Sequence, residues 1–174
     1  MANTDSYVDD SGSIRFSVDE HSTLSVGQTK QIEFNLGAIT ALPREPTVYI
    51  NKLRFKVNTV SVDGGTTDFF IGHIMAGIVP TSLIGTSSGI FKDYVDFQTV
   101  KGWPIPMSKQ YLLNSSGHAG QPDTPWVGKL SQTYSPKSTL LMNAEQTVIL
   151  SFTNDFGDEQ DYNLTIDGTL RRTD

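Results

Sequence analysis

Gly85-Thr86-Ser87-Ser88-Gly89 has the G-x-S-x-G spacing that places a serine hydroxyl on a sharp turn, and Asp96 and His118 follow in the Ser, Asp, His order of a hydrolase triad. Such an elbow needs a parallel-sheet strand before it and a helix after it. The spacing on either side favours antiparallel sheets, so the segment reads as a Gly/Ser turn between Leu83-Ile84 and Ile90-Phe91, and no enzyme is expected. His21, His73 and His118 stand far apart, and none has a second ligand at H-x-x-x-H or H-x-E spacing, so no zinc or iron site is expected. His73 lies in the most apolar run of the chain and reads as a hydrogen-bonded core residue.

Asp155, Asp158, Glu159 and Asp161 crowd into the segment NDFGDEQD, and carboxylates on one turn could hold Ca²⁺. The spacing is not that of an EF-hand, and a plain solvated hairpin loop is the competing reading. Asp155-Phe156-Gly157 is no kinase signature without a Gly-rich loop, a lysine strand and a catalytic loop. No cofactor is expected.

Two further groups are candidates for binding rather than catalysis. Lys52, Arg54 and Lys56 alternate with Leu53, Phe55 and Val57, so on a strand all three cations leave one face while the apolar side chains enter a core. Such a row could dock an acidic partner or an anionic lipid surface, and equally could be a solvated face that discourages edge pairing. Trp103-Pro104-Ile105-Pro106 and the segment from Gly120 to Trp126 place both tryptophans on proline-stiffened chain, where each ring could anchor a neighbour or fold back over its own domain. Asn114-Ser115-Ser116 and Asn163-Leu164-Thr165 match the glycosylation spacing, but the start, MANTDSYVDD, is acidic where a secretory signal would be basic and then apolar.

Strands must position these groups. Ile14, Phe16 and Val18 recur two apart, as do Ile32, Phe34 and Leu36, then Val148, Leu150 and Phe152, and finally Tyr162, Leu164, Ile166 and Leu170. From Val48 to Val62 the apolar phase shifts between Ile50 and Leu53 and again before Val60, and each shift implies a bulge, twist or break. Phe69 to Val79 is nearly all apolar and predicts a strand buried on both faces, with a buried helix as the alternative. Ile90 to Phe97 alone has helix-like spacing, for about two turns, although Val95, Phe97 and Thr99 fit a strand equally well. Pro104, Pro106, Pro122, Pro125 and Pro136 fall within 101–137, which predicts a loop excursion, and residues 1–12 predict a flexible arm.

The 174 residues fit one domain. The absence of cysteine excludes a disulfide framework and a thiolate site, and no apolar run reaches the roughly 18 residues of a membrane-spanning helix. A net charge of -6, with three acids and no base in the first ten residues, opposes direct binding to nucleic acid. The reading is therefore an all-β chain, a single β-barrel or jelly-roll sandwich of about eight antiparallel strands over residues 1–174.

In size, strand pattern and charge the chain resembles the small single-jelly-roll major capsid proteins of tailless icosahedral phages with an internal membrane, the sphaerolipovirus-like group. The resemblance implies a virion protein of the capsid shell, a homo-oligomer that pairs with a second capsid protein over a lipid vesicle. In that setting the Lys52, Arg54, Lys56 row would meet lipid headgroups or an acidic neighbour, and the Trp103 to Trp126 excursion would pack on adjacent subunits. The alternative is a carbohydrate-binding or adhesin-type β-sandwich with Trp103, Trp126 or Tyr134 as stacking platforms.

Overall fold

The computed structural model describes residues 3–39, 42, 46–59, 72–84, 103–104, 129–136, 140–155 and 159–173. Among the described residues, the segments with period-two alternation are strand. β1 spans Asn3–Val8, β2 Ile14–Leu24, β3 Thr29–Asn35, β4 Thr47–Thr59 and β5 Gly72–Pro80. β6 is the pair Trp103–Pro104, followed by β7 Lys129–Tyr134, β8 Leu140–Asn143, β9 Gln146–Asn154 and β10 Gln160–Arg172. Two short 3-10 turns, Leu36–Ala38 and Thr81–Leu83, are the helical segments among the described residues.

One sheet has the order β1-β2-β10-β4-β7, with β8 also on β4, and the other has the order β3-β9-β5-β6. The early strands pair with the late ones in reverse: β2 with β10, β3 with β9, β4 with β7 and β8, β5 with β6, all antiparallel. The chain thus runs as one long hairpin that is then rolled up, so that β4 also pairs β10 and β5 also pairs β9. That wiring is a jelly roll. β7 and β8 meet successive stretches of β4, Leu53–Asn58 and Thr47–Ile50, and together act as one interrupted strand. Counted so, the described residues supply eight strand positions to the roll, and β1 is an addition outside it. Among the described residues the two sheets remain open and do not close into a barrel.

The core lies between the sheets. Ile14, Phe16 and Val18 of β2, Leu53, Phe55 and Val57 of β4, and Tyr162, Leu164 and Ile166 of β10 face Ile32 and Phe34 of β3 and Val148, Leu150 and Phe152 of β9. Phe16 stacks on Phe34 with ring centroids 3.8 Å apart, and Phe152 meets Tyr162 at 4.6 Å, so two aromatic contacts clamp sheet to sheet. Every residue from Ile74 to Val79 is buried, so β5 has two covered faces, and Met75, Val79 and Ile149 form a second small cluster on the outer side with Ile84 against it.

Three expectations are corrected. Residues 3–8 are not a loose arm: they pair along their whole length with β2, because the Asp9–Ser13 turn returns the chain in register. Part of the 101–137 excursion is strand, since Trp103–Pro104 pairs β5 and Lys129–Tyr134 pairs β4. The NDFGDEQD segment is no hairpin loop, because β9 and β10 belong to opposite sheets and the chain crosses between layers there. The phase shift after Ile50 is a register irregularity: β10 matches Leu170 to Ile50 and Thr169 to Lys52, which leaves Asn51 over. Val60, Val62 and the helix-like segment 90–97 lie outside the described residues.

Candidate functional site

Alternation fixes what the outer face of the β1-β2-β10-β4-β7 sheet presents. Register sets its side chains in rows: Tyr7, Arg15, Thr169 and Lys52 in one; Asp5, Ser17, Asp167, Arg54 and Thr133 in the next; Asn3, Asp19, Thr165, Lys56 and Ser131 in the third. Long cationic side chains on β2 and β4 flank the short Thr169 and Asp167 on β10 between them. The result is an open groove of about 500 Å³, lined among others by Tyr7, Arg15, Ser17, Lys52, Arg54 and Asp167.

Lys52, Arg54 and Lys56 do share one face. Two of them are paired, because the Arg54 guanidinium Nε lies 3.1 Å from Asp167 Oδ1 and Lys56 Nζ lies 3.6 Å from Asp167 Oδ2. A pair whose arginine is 40% exposed is worth about 1 kcal/mol or less, so the row remains a solvated charged surface rather than a fixed cluster. Lys52 is exposed at the groove wall. Arg15 is held by Asp9 at 3.0 Å on the β1–β2 turn. The Ser11 hydroxyl donates to Asp9, and together with the Arg15 and backbone N–H bonds it holds that carboxyl below its ordinary pKa.

Of the calcium candidates, Asp155 and Glu159 are exposed, Asp161 is half-buried, and Asp158 lies outside the described residues. Glu159 accepts a hydrogen bond from Ser25 Oγ at 3.2 Å and Asp161 accepts one from Thr23 Oγ1. No group of three such ligands converges among the described residues. The same end of the sandwich carries a buried polar link instead: Tyr162 Oη donates to Asn154 Oδ1 at 2.6 Å, and Asn154 Nδ2 donates to the Leu24 carbonyl at 2.9 Å. Burial, and then the charge of Asp155, push the Tyr162 hydroxyl pKa above the ordinary tyrosine range.

Trp103 sits in β6 opposite Ile78, with its backbone alone described, while Trp126, Ser87, Asp96 and His118 lie outside the described residues. His21 is exposed on β2 opposite Asn163, and Tyr134 ends β7, packed in part against the core. Asp167, Arg15, Tyr7 and Asp5 were missed as groove residues. Arg15 and Asp167 occupy outward positions of alternating strands, a signal that says nothing of which strands become neighbours, whereas Asp5 and Tyr7 lie on β1, whose sequence does not alternate.

Fold and face define an all-β jelly-roll sandwich with one charged, grooved sheet face. No family model matches the chain, and no curated protein matches it. Among solved structures, a chain from infectious bursal virus-derived T=1 particles aligns with 88% of this chain and 40% of its own length, at 10% identity and a TM-score of 0.12. This chain therefore spans less than half of that one, and a superposition so loose carries no argument.

Proposed function

We propose that the chain is a coat subunit, a jelly roll that assembles with copies of itself, and with a second coat protein, into a virion shell over an internal membrane. The wiring carries the reading: eight rolled strand positions with an extra strand, β1, laid outside them. Jelly rolls of this wiring serve as capsid domains, lectins and cupins, so the fold narrows the choice without making it. The rim of β1, which pairs no strand but β2 among the described residues, and the charged outer face supply surfaces for neighbours, with the Lys52 side of the groove suited to lipid headgroups or an acidic partner. Light scattering behind gel filtration, with electron microscopy of any large species, tests it. Association through an interface above about 1,000 Å² is expected, and a chain that stays monomeric at high concentration overturns the proposal.

The groove favours a second reading, a saccharide-binding sandwich. An exposed tyrosine ring, two hydroxyls and three cations around an open groove would suit an acidic sugar. Specific binding on a glycan array, lost in Tyr7→Ala, supports it.

A further inference from the structure

We infer that two copies of the chain join β1 to β1, antiparallel across a two-fold axis and centred on Ser6. The inference rests on the assembly reading and names its seam. β1 overhangs the sandwich. Thr4 and Val8 are exposed although their partners on β2, Val18 and Ile14, are buried in the core, so β1 is held chiefly by one ladder and adds little to packing. Tyr7 and Val8 are 59% and 42% exposed, which leaves apolar surface beside the free edge.

Among the described residues the other sheet edges are protected. β3 carries Lys30 and Glu33, the described part of β6 includes Pro104, and Pro136 lies between β7 and β8, which interrupts that edge. β1, with the sequence NTDSYV, carries the single charge of Asp5 and has no lysine, arginine, proline or register break, so fewer of the devices that blunt an exposed edge fall on it.

Hydrogen-bond alternation decides which backbone groups are on offer. Asp9 N–H donates to the Ser13 carbonyl at 2.9 Å, in line with the Val8–Ile14 pairing. Counting back two at a time, Tyr7, Asp5 and Asn3 bond β2, while the N–H and C=O groups of Val8, Ser6 and Thr4 point to the free edge. A two-fold axis perpendicular to the sheet keeps both outer faces on one side and allows a centre on Asp5, Ser6 or Tyr7.

Charge selects among the three centres. A centre on Asp5 sets it against its own copy at the close spacing of about 4.5 Å between Cα atoms, and a centre on Tyr7 sets Asp5 against Asp9 of the turn. A centre on Ser6 pairs Ser6 with the partner's Ser6, Thr4 with Val8 and Asp5 with Tyr7. It makes about six ladder hydrogen bonds and covers the exposed Val8 and Tyr7.

Gel filtration with light scattering on three variants tests this. Ser6→Pro removes an N–H from the free edge and leaves the bonds to β2, so a dimer at least tenfold weaker with a near-unchanged melting temperature is expected. Ser6→Lys and Ser6→Glu each oppose like charges and should be monomeric alone, and an equimolar mixture should regain the dimer. That mixture decides the matter even if Ser6→Pro fails to fold. If the wild type assembles and all three variants assemble as it does, the seam is wrong and the assembly reading stands. A monomeric wild type removes both.

Discussion

Gly168 is the position where one methyl group should do most damage. It lies on the inward register of β10 between Ile166 and Leu170, yet a Cβ there would come 2.3 Å from the Lys52 carbonyl oxygen, 3.1 Å from Phe16 and 3.2 Å from Leu53. Contacts below 3.0 Å force a shift, and the first of these atoms is backbone of the paired strand rather than the tip of a mobile side chain. Gly168→Ala must therefore push β4 from β10 by about 1 Å at a ladder already interrupted between Thr169 and Leu170. Overpacking of this kind costs about 1–3 kcal/mol, and one or two stretched ladder bonds add about 1 kcal/mol each. A total near 3 kcal/mol lowers the melting temperature by about 6–12 °C for a domain of this size. Thermal unfolding followed by circular dichroism measures it. Gly12→Ala is the control, because Gly12 has φ +80 and nothing within 4 Å, so its cost is conformational only, about 1–2 kcal/mol. A Gly168→Ala protein melting within about 1 °C of the wild type would show that β4 and β10 do not approach as closely as this packing requires.

Tyr162→Phe deletes the 2.6 Å bond to Asn154 and should cost about 1–2 kcal/mol, a drop of about 2–8 °C in the same melt, and an unchanged melt would contradict the buried link. Because the Asp9 pKa is held below 3.8, its contribution is present above the ordinary carboxylate range and is lost only as pH falls through the depressed folded value. The protection factor of the Ser13 amide, which donates to Asp9 Oδ1 at 3.0 Å, should therefore fall only in strong acid, and a loss of protection at pH 5 would argue against that turn. Asp167→Asn should cost about 1 kcal/mol or less in urea denaturation, since both of its cations are partly solvated, and a loss of several kcal/mol would mean the charged row is a structural cluster.

The sequence by itself determined which side is buried in the strands whose polarity alternates. Polarity alternates along Ile14 to Val18 and along Tyr162 to Leu170, and a pleated strand turns that order into two faces whatever its neighbours are. The phase shift after Ile50 was legible for the same reason, as was the doubly buried β5. Only the tertiary structure decided who pairs with whom. Ladder hydrogen bonds are made by backbone groups that every strand offers alike, so period two is silent about the partner. Thus Asp167 meets Arg54 across 113 residues, β9 and β10 part into opposite sheets although NDFGDEQD has the composition of a hairpin loop, and β1 lies in register on β2 although its sequence predicts a flexible arm. The groove follows from those choices, since its walls come from strands that only the roll makes neighbours of β10.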